Sequence, residues 1–225
     1  MIRFSTSSIQ RGTVILVLLL AAGCGALRPT SAAHPSYYSL GSARIEPGTV
    51  PRTPALSAKA PTLIVNPPHA ASGFDSQRII YVRESHKLEY FAHSEWIDTP
   101  ARMLAPLIVA AIERAGTFGA VVLTPSAAAG DLRLDTDIVR LQHEFGSHPS
   151  RVRFTLRTYV VDNTTRRVLA SREFDESVGA ASDTPAGGIV AANQAVQAVL
   201  ERLARYCNEV AARWQHSGIE AAQLP

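Results

Sequence analysis

Residues 151–161 read Arg-Val-Arg-Phe-Thr-Leu-Arg-Thr-Tyr-Val-Val and carry the clearest strand signal in the sequence. From Arg151 to Val160, every second residue is apolar or threonine, and the residues between them are arginine, threonine or tyrosine. Strict alternation of this kind predicts a half-buried strand of an antiparallel sheet, with one face in the core and one in water. The predicted inner face comprises Val152, Phe154, Leu156, Thr158 and Val160, and the outer face comprises Arg151, Arg153, Thr155, Arg157 and Tyr159.

Two further strand candidates flank this segment, at residues 131–145 and 166–178, and the residues that join them have turn-forming composition. The three segments therefore predict an antiparallel meander. The middle strand is rich in arginine and the preceding strand carries aspartates, so cross-strand ion pairing is favoured over an anion site. The residues concerned are Arg151, Arg153 and Arg157 on one strand and Asp131, Asp135 and Asp137 on the other.

Two amphipathic helices are predicted from apolar residues at three- and four-residue spacing. The first begins after Thr99, a capping residue, with Pro100 at its first position and Gly116 at its end. Pro106 lies inside this pattern and predicts either a bend or a helix that starts just before it. The second helix covers residues 184–214.

Shorter segments complete the predicted architecture. Residues 37–40, 62–65 and 118–123 are strand-like runs, and residues 77–83 and 87–92 are two strands separated by three residues, which predicts a hairpin. The whole pattern predicts a single α+β domain, an antiparallel β-sheet packed on one face by two α-helices.

The N-terminal region predicts an exported lipoprotein. Arg3 and Arg11 precede a nine-residue apolar run, 14–22, which is too short to cross a bilayer as a helix but suits a signal peptide. The sequence Leu-Leu-Ala-Ala-Gly-Cys at 19–24 resembles a bacterial lipobox. This resemblance implies cleavage before Cys24, a diacylglyceryl thioether on its sulfur and an N-acyl chain such as palmitate. The alternative is an ordinary signal peptide followed by a chance cysteine.

These signals divide the chain into a cleaved signal peptide at 1–23, a lipidated tether at 24–36, a folded domain at 37–215 and a loose tail at 216–225. Removal of the signal peptide lowers the formal charge from +3 to +1, so nucleic acid is not an expected partner. Cys207 is then the second and last cysteine, and it is expected to be a small buried hydrophobic residue of the second helix.

No catalytic or metal-binding pattern stands out. The sequence lacks a Gly-x-Ser-x-Gly elbow, a Ser-x-x-Lys pair and a glycine-rich phosphate loop after a strand. His143 and His148 are close in sequence, but their spacing does not suit a metal pair with a third ligand. We therefore expect no enzymatic activity, no metal and no cofactor besides the covalent lipid on Cys24.

One succession of motifs is more specific. Segments 74–83, 88–90 and 96–100 follow the lipobox and the early Tyr-Tyr-Ser-Leu at 37–40. This succession resembles the ABC-type transport auxiliary lipoproteins, the outer-membrane partners of MCE-type lipid transport systems such as the Pqi system. The match rests on Arg78, Ile79 and Arg83 of an Arg-x-Ile-x-x-Arg-like strand, then on Tyr90 and on Trp96 before the first helix.

The resemblance implies a non-enzymatic accessory subunit at the periplasmic face of the outer membrane of a Gram-negative bacterium. Gly25, rather than aspartate, after Cys24 agrees with sorting to that membrane. The implied partners are an MCE-domain periplasmic protein and its ABC permease and ATPase. A scaffold or pilotin-like lipoprotein of another envelope machine and a periplasmic lipid-binding carrier are the alternatives. The sequence leaves homo-oligomerisation open.

The same residues allow two interpretations. Trp96 could pack the first helix onto the sheet with Tyr90 beside it, or both could contact a partner. Asp75, Arg78 and Arg83 could form an ion pair that fixes the loop before the strand, or they could belong to a docking surface, where arginine and tryptophan are common hot spots.

Overall fold

The computed structural model describes residues 34–41 and 60–222, with side chains as far as residue 217. The described residues from Pro35 onward belong to one compact unit. The predicted signal peptide, Cys24 and most of the tether lie outside the described residues, as do residues 42–59. The described strands are β1 (Ser36–Tyr38), β2 (Thr62–Val65), β3 (His69–Ala70), β4 (Arg78–Val82), β5 (Glu89–Trp96), β6 (Ala120–Leu123), β7 (Leu132–Glu144), β8 (Arg151–Asp162) and β9 (Val168–Gly179), and the helices are α1 (Pro100–Ala115) and α2 (Pro185–Ala222).

The predicted meander is confirmed as β7, β8 and β9, which pair antiparallel along nearly their whole length. Residues of the predicted inner face, such as Phe154 and Leu156, are fully buried. Thr155 departs from the alternation because it is also buried, and its hydroxyl donates to the Asp175 carboxylate of β9. A threonine can occupy this position because the neighbouring strand supplies an acceptor.

The sheet is mixed rather than purely antiparallel, which corrects the prediction in this detail. Strands β2, β3 and β4 lie one after another along the edge of β7 that faces away from β8, and each is parallel to β7. Strand β2 also pairs parallel with β6, and β1 with β5. Short apolar runs show that a strand is buried but do not reveal its direction, so the sequence could not distinguish the two arrangements.

The arginines of β8 do form cross-strand ion pairs, but the acids belong to β9 instead of β7. Arg153 contacts Asp175 at 2.6 Å and Arg157 contacts Glu173 at 2.8 Å. Asp135 of β7 instead forms an ion pair with Arg133 of the same strand, at 3.0 Å. These pairs are partly exposed, so each contributes only ~0.2–1 kcal/mol.

Helix α1 begins at Pro100, not later, and tolerates Pro106 in its interior. The side chain of Thr99 makes no capping hydrogen bond, and Gly116 ends the helix in the left-handed region with φ +73°, as glycine allows. Helix α2 continues to Ala222, beyond the end predicted at residue 214. Residues 216–222, which were predicted to be a loose tail, are therefore helical.

The core lies between the sheet and the two helices. Leu104, Ile108 and Ile112 of α1 and Leu203 of α2 are fully buried against the inner face of the sheet. Burial of each such side chain contributes roughly 1.5–3 kcal/mol. Cys207 is 1% exposed, and burial raises the pKa of its thiol to about 12, so it is the buried hydrophobic residue that was predicted.

The first strand is fastened to the last helix by Asn193. The Asn193 side-chain oxygen accepts the Gly41 N–H at 2.6 Å, and its nitrogen donates to the Ser39 carbonyl at 3.3 Å. The Tyr38 carbonyl accepts the Ile97 N–H at 2.7 Å at the end of β5. Strand β1 is thereby held at its C-terminal end by both the sheet and α2.

Candidate functional site

The five residues predicted as a docking surface lie on or next to the hairpin of β4 and β5. In this hairpin Tyr81 pairs with Glu89 and Ile80 with Tyr90. A register shift separates Arg78 from Ile80, and such a bulge changes the direction of side chains that would otherwise alternate. Arg78 and Tyr90 are both exposed on this hairpin.

Arg78 and Tyr90 stack on each other. The guanidinium carbon of Arg78 lies 4.2 Å from the centre of the Tyr90 ring, a distance typical of a cation–π interaction. The Tyr90 side chain remains 49% exposed. Exposed pairs of this kind contribute ~0.5–1 kcal/mol, so the core does not depend on this one. The pair presents an aromatic ring and a cation together at the surface, the two residue types most enriched in interface hot spots.

Arg83, just after β4, makes a two-pronged contact with Glu89. Its Nε and Nη2 atoms donate to the two Glu89 carboxylate oxygens at 3.1 and 2.9 Å, and Nη2 also donates to the Tyr81 hydroxyl at 2.9 Å. The hydrogen bond from Arg83 lowers the pKa of the Glu89 carboxyl, and the same bond raises the pKa of the guanidinium. These contacts orient Arg83 while more than half of its side chain stays in water.

Asp75 lies in the loop before β4, and its side chain is exposed. The neighbouring Phe74 is buried and anchors this loop. Within the described part of the chain, Asp75 forms no ion pair with Arg78 or Arg83, so the predicted ion pair is wrong. Arg83 is instead occupied by Glu89, which approaches it across the hairpin.

Trp96 is the member of the predicted set that the fold buries. Its side chain is 3% exposed, and its backbone N–H donates to the Gln77 backbone carbonyl at 2.7 Å. It borders a narrow cavity together with Gly188 and Ile189 of α2. Trp96 is thus a core residue with α2 as a neighbour, whereas Tyr90 is exposed and does not share its environment.

Further exposed apolar side chains surround the hairpin, and the sequence analysis did not single them out. Tyr37 of β1 is 59% exposed and pairs in register with Glu95 of β5, and Ile97 directly after β5 is 61% exposed. Leu88 precedes β5 and is also exposed. Alternation divides the side chains of a strand between two faces but does not show which face is buried. The sequence therefore could not show that these residues face solvent. The hairpin surface is defined here as Tyr37, Arg78, Leu88, Tyr90 and Ile97.

A second polar cluster joins Ser150, His143 and Asp183. The Ser150 Oγ atom lies 2.8 Å from His143 Nε2, and the Ser150 N–H donates to Asp183 at 3.4 Å. A nucleophilic triad has the acid behind the histidine, whereas here the serine lies between the two. Ser150 is also fully buried. The arrangement therefore satisfies buried polar atoms and does not expose a nucleophile.

The described residues contain no group of three histidine, cysteine, aspartate or glutamate side chains that could hold a metal ion. In the same part of the chain, neither helix has a segment that is both long and apolar enough to cross a bilayer.

Comparison with known proteins gives one family. The family described as ABC-type transport auxiliary lipoprotein component matches residues 38–204, which contain the β4–β5 hairpin, the whole of α1 and about the first half of α2. None of the curated proteins matches the sequence.

Solved structures with the same fold include a protein from Xanthomonas campestris, with a TM-score of 0.66 and 22% identity over 82% of this chain and 98% of the other. An uncharacterised protein of known structure has a TM-score of 0.59 and 13% identity over 77% of this chain and 99% of the other. At these identities the likeness shows a common fold.

Proposed function

Since the chain belongs to the family of ABC-type transport auxiliary lipoproteins, we propose that it is a non-enzymatic accessory subunit of an MCE-type phospholipid transport system. In this role it docks the periplasmic MCE assembly at the outer membrane. The activity is positional: the protein holds the transport machine near its target membrane and carries out no covalent chemistry.

The observation that carries this proposal is the hairpin surface. It combines the exposed Arg78–Tyr90 pair with three exposed apolar side chains on neighbouring segments. Arginine and tyrosine side chains exposed together are typical of protein–protein contacts, and Leu88 and Ile97 add exposed apolar side chains at the two ends of β5. The partner of matching chemistry is a periplasmic segment with apolar side chains and a carboxylate that can approach Arg78.

The anchor belongs to the same proposal. Two or more acyl chains on Cys24 would hold the protein stably, whereas a single chain binds a membrane only marginally. The tether from Cys24 to Ser36 contains twelve steps along the chain and can span at most roughly 40 Å. Because β1 follows the tether directly and Tyr37 belongs to the hairpin surface, the docking surface stays within that range of the membrane.

The experiment is an affinity pull-down of the lipidated protein in mild detergent, followed by mass spectrometry of proteins and lipids. Tyr90→Ala and Arg78→Gln are compared with Val168→Ala and Arg151→Gln, which remove an exposed apolar side chain and an exposed arginine elsewhere. Recovery of an MCE-domain protein with its permease and ATPase, reduced several-fold in the first two variants alone, is the expected result.

Other outcomes contradict the proposal. Recovery of a secretin or another envelope machine would favour a scaffold or pilotin-like role. Stoichiometric phospholipid without a protein partner would favour a lipid carrier. Equal recovery from all four variants would move the docking site away from the hairpin surface.

A further inference from the structure

A cleft of about 470 Å³ lies between β9 and α2, away from the hairpin surface. The side chains on its helix side are Arg202, Arg205, Tyr206 and Glu209, whose spacing places them on one face of α2. Strand β9 contributes Arg172 and Phe174. We refer to the space bounded by these residues as the edge cleft, because β9 pairs only with β8 among the described strands and forms an edge of the sheet.

The acids of β9 that border the edge cleft are already occupied. Asp175 is taken by Arg153 and Glu173 by Arg157, both from β8. Within the described part of the chain, Arg172 and Arg205 have no carboxylate partner. Arg172 instead lies over the Tyr206 ring, with 4.6 Å between its guanidinium carbon and the ring centre. Glu209 of α2 is one further carboxylate that borders the cleft. Two arginines without an ion pair therefore stand beside a single additional acid, and a cationic excess remains among the lining residues.

Two donors bordering the edge cleft have no hydrogen-bond partner among the described residues. The Tyr206 hydroxyl is buried on a side chain that is only 4% exposed, and the buried Nε atom of Arg202 is likewise unpartnered. The Nη2 atom of Arg202 donates to the Glu176 carboxylate at 2.7 Å, so only the Nε side of this guanidinium has a donor without a partner among the described residues. Leaving a buried donor unpaired costs ~1–3 kcal/mol, and each such group in a folded protein calls for an explanation.

These observations converge on one ligand chemistry. The unsatisfied groups are N–H and O–H donors and cations, so the missing partner is an anion with several acceptor oxygens. Planar guanidinium groups bind phosphate and carboxylate oxygens in two-pronged geometry, and a phosphate offers more oxygens to a set of three arginines than a carboxylate does. The volume of the cleft also falls within the range of small-ligand sites.

We propose that the edge cleft binds a phosphate group, with Arg172, Arg205 and the Arg202 Nε atom as its cationic donors and the Tyr206 hydroxyl as its neutral donor. The phosphate belongs either to the headgroup of an anionic lipid or to a free phosphate compound. The proposal rests on groups at the β9 edge and is independent of docking through the hairpin surface, so either can fail alone.

The test is isothermal titration calorimetry of the full lipidated protein in non-ionic detergent and a phosphate-free buffer. The probes are inorganic phosphate, a short-chain phosphatidylglycerol and the matching diacylglycerol without phosphate. Arg172→Gln and Tyr206→Phe are compared with Arg151→Gln, which removes an exposed arginine of β8 outside the cleft. Tyr206→Phe removes only the orphan hydroxyl, so the fold should keep or gain thermal stability.

The expected result is saturable binding of a phosphate-bearing probe and no binding of diacylglycerol. Its dissociation constant should rise about tenfold in Arg172→Gln, as for one lost charge-assisted hydrogen bond, and several-fold in Tyr206→Phe, with less than a twofold change in Arg151→Gln. Binding of the lipid but not of inorganic phosphate assigns the site to a headgroup, and the reverse assigns it to a free phosphate compound. The proposal is overturned if neither probe binds, or if folded Arg172→Gln and Tyr206→Phe bind as tightly as the parent protein.

Discussion

His143 is a buried imidazole with only one of its two nitrogens satisfied. Its Nε2 atom lies 2.8 Å from Ser150 Oγ, whereas Nδ1 has no partner among the described residues. The backbone of α2 closes over the ring at Gly188. Burial lowers the pKa of His143, and the opposing effect of Asp183 is smaller. The folded protein therefore prefers the neutral ring.

The depressed pKa predicts a dependence of stability on pH. A histidine of the unfolded chain takes up its proton near pH ~6.5, whereas His143 in the folded state does so only at lower pH. Its contribution to the free energy of unfolding is therefore complete above the unfolded pKa, declines as the pH falls below that value, and levels off below the folded pKa. Urea unfolding at a series of pH values should show this decline.

The variants His143→Gln and His93→Gln identify its source. Glutamine at 143 keeps a polar contact for Ser150 but cannot titrate, so the decline between about pH 6.5 and the folded pKa should be smaller in that variant. His93→Gln is the matched control because it replaces an exposed histidine by the same residue. Identical profiles for His143→Gln and the parent protein would exclude His143 as the cause.

Gly188 is a position where the close approach of two elements requires glycine. A Cβ atom added there would lie 2.5 Å from His143 Nδ1 and 3.2 Å from the ring Cγ. Gly188→Ala should therefore destabilise the fold by about 1–3 kcal/mol through overpacking, reduced by the better helix propensity of alanine. Thermal unfolding measures the change. Gly146→Ala is the control because an added Cβ meets nothing within 4 Å there, and an equal loss in both variants would argue against the packing explanation.

At the scale of elements, one carboxylate joins the last helix to the β8–β9 turn. Asp162 accepts the Trp214 Nε1–H at 3.0 Å and the backbone N–H groups of Thr164 and Thr165 at 2.9 and 2.8 Å. The backbone hydrogen bond from Thr165 is the main reason that the pKa of Asp162 is lowered. The turn and the end of α2 therefore share a single acceptor group.

Asp162→Ala should lower the free energy of unfolding by about 1–3 kcal/mol, because it leaves several donors without an acceptor. Hydrogen exchange should become faster both in the β8–β9 turn and in α2 near residue 214. Trp214→Phe removes only the link to the helix, so exchange should rise in α2 while the turn stays protected. Faster exchange in the turn alone for Asp162→Ala would contradict the proposed link.

Elements with a strong internal period were predictable, and their pairing was not. The alternation of residues 151–161 and the turn residues on either side located β7, β8 and β9 to within two residues. The parallel arrangement of β2, β3 and β4 along β7 depends on contacts between residues far apart in sequence, which short apolar runs do not encode. The two-residue strand β3 was not predicted, because two residues are too few to show a period.

The candidate site shows the same division. The hairpin carrying Arg78, Arg83 and Tyr90 was predicted, but the partners of these residues were not. The bulge near Arg78 changes which side chains face solvent, and no residue type announces it. Trp96 was predicted either to pack in the core or to contact a partner protein, and only the position of α2 decides between the two. The edge cleft was missed entirely, because Arg172 and Arg202 are brought together by tertiary packing.

At the scale of the whole folded unit, the two proposed sites lie at different edges of the sheet. Strand order runs from β1 through β5, β4, β7 and β8 to β9. Five strand spacings separate the outer strands, a distance of roughly 24 Å along the sheet. A protein partner on the hairpin surface and a phosphate group in the edge cleft can therefore be bound at the same time.

Loss of the anchor should change location without changing fold. Cys24→Ala removes the residue that carries both predicted lipid attachments, so the protein should move from the membrane fraction to the soluble periplasmic fraction. Its melting temperature should stay within about 1 °C of the parent value, since Cys24 precedes the folded domain predicted at 37–215 and substitutions outside a core have little effect on stability. Cys207→Ala is the control that removes a thiol but keeps the anchor. Incorporation of labelled palmitate into Cys24→Ala at the level of the parent protein would contradict lipidation at this residue.

The fastening of β1 has a mechanical consequence. Any tension between the membrane and a docked transport machine enters the folded unit at Ser36, and β1 is a three-residue strand parallel to β5. A pull along the strand loads its few hydrogen bonds together in shear, and Asn193 shares that load with α2. The force is thereby divided between sheet and helix. Single-molecule stretching from the N terminus should show β1 detaching at a lower force in Asn193→Ala, while the remaining sheet unfolds at an unchanged force.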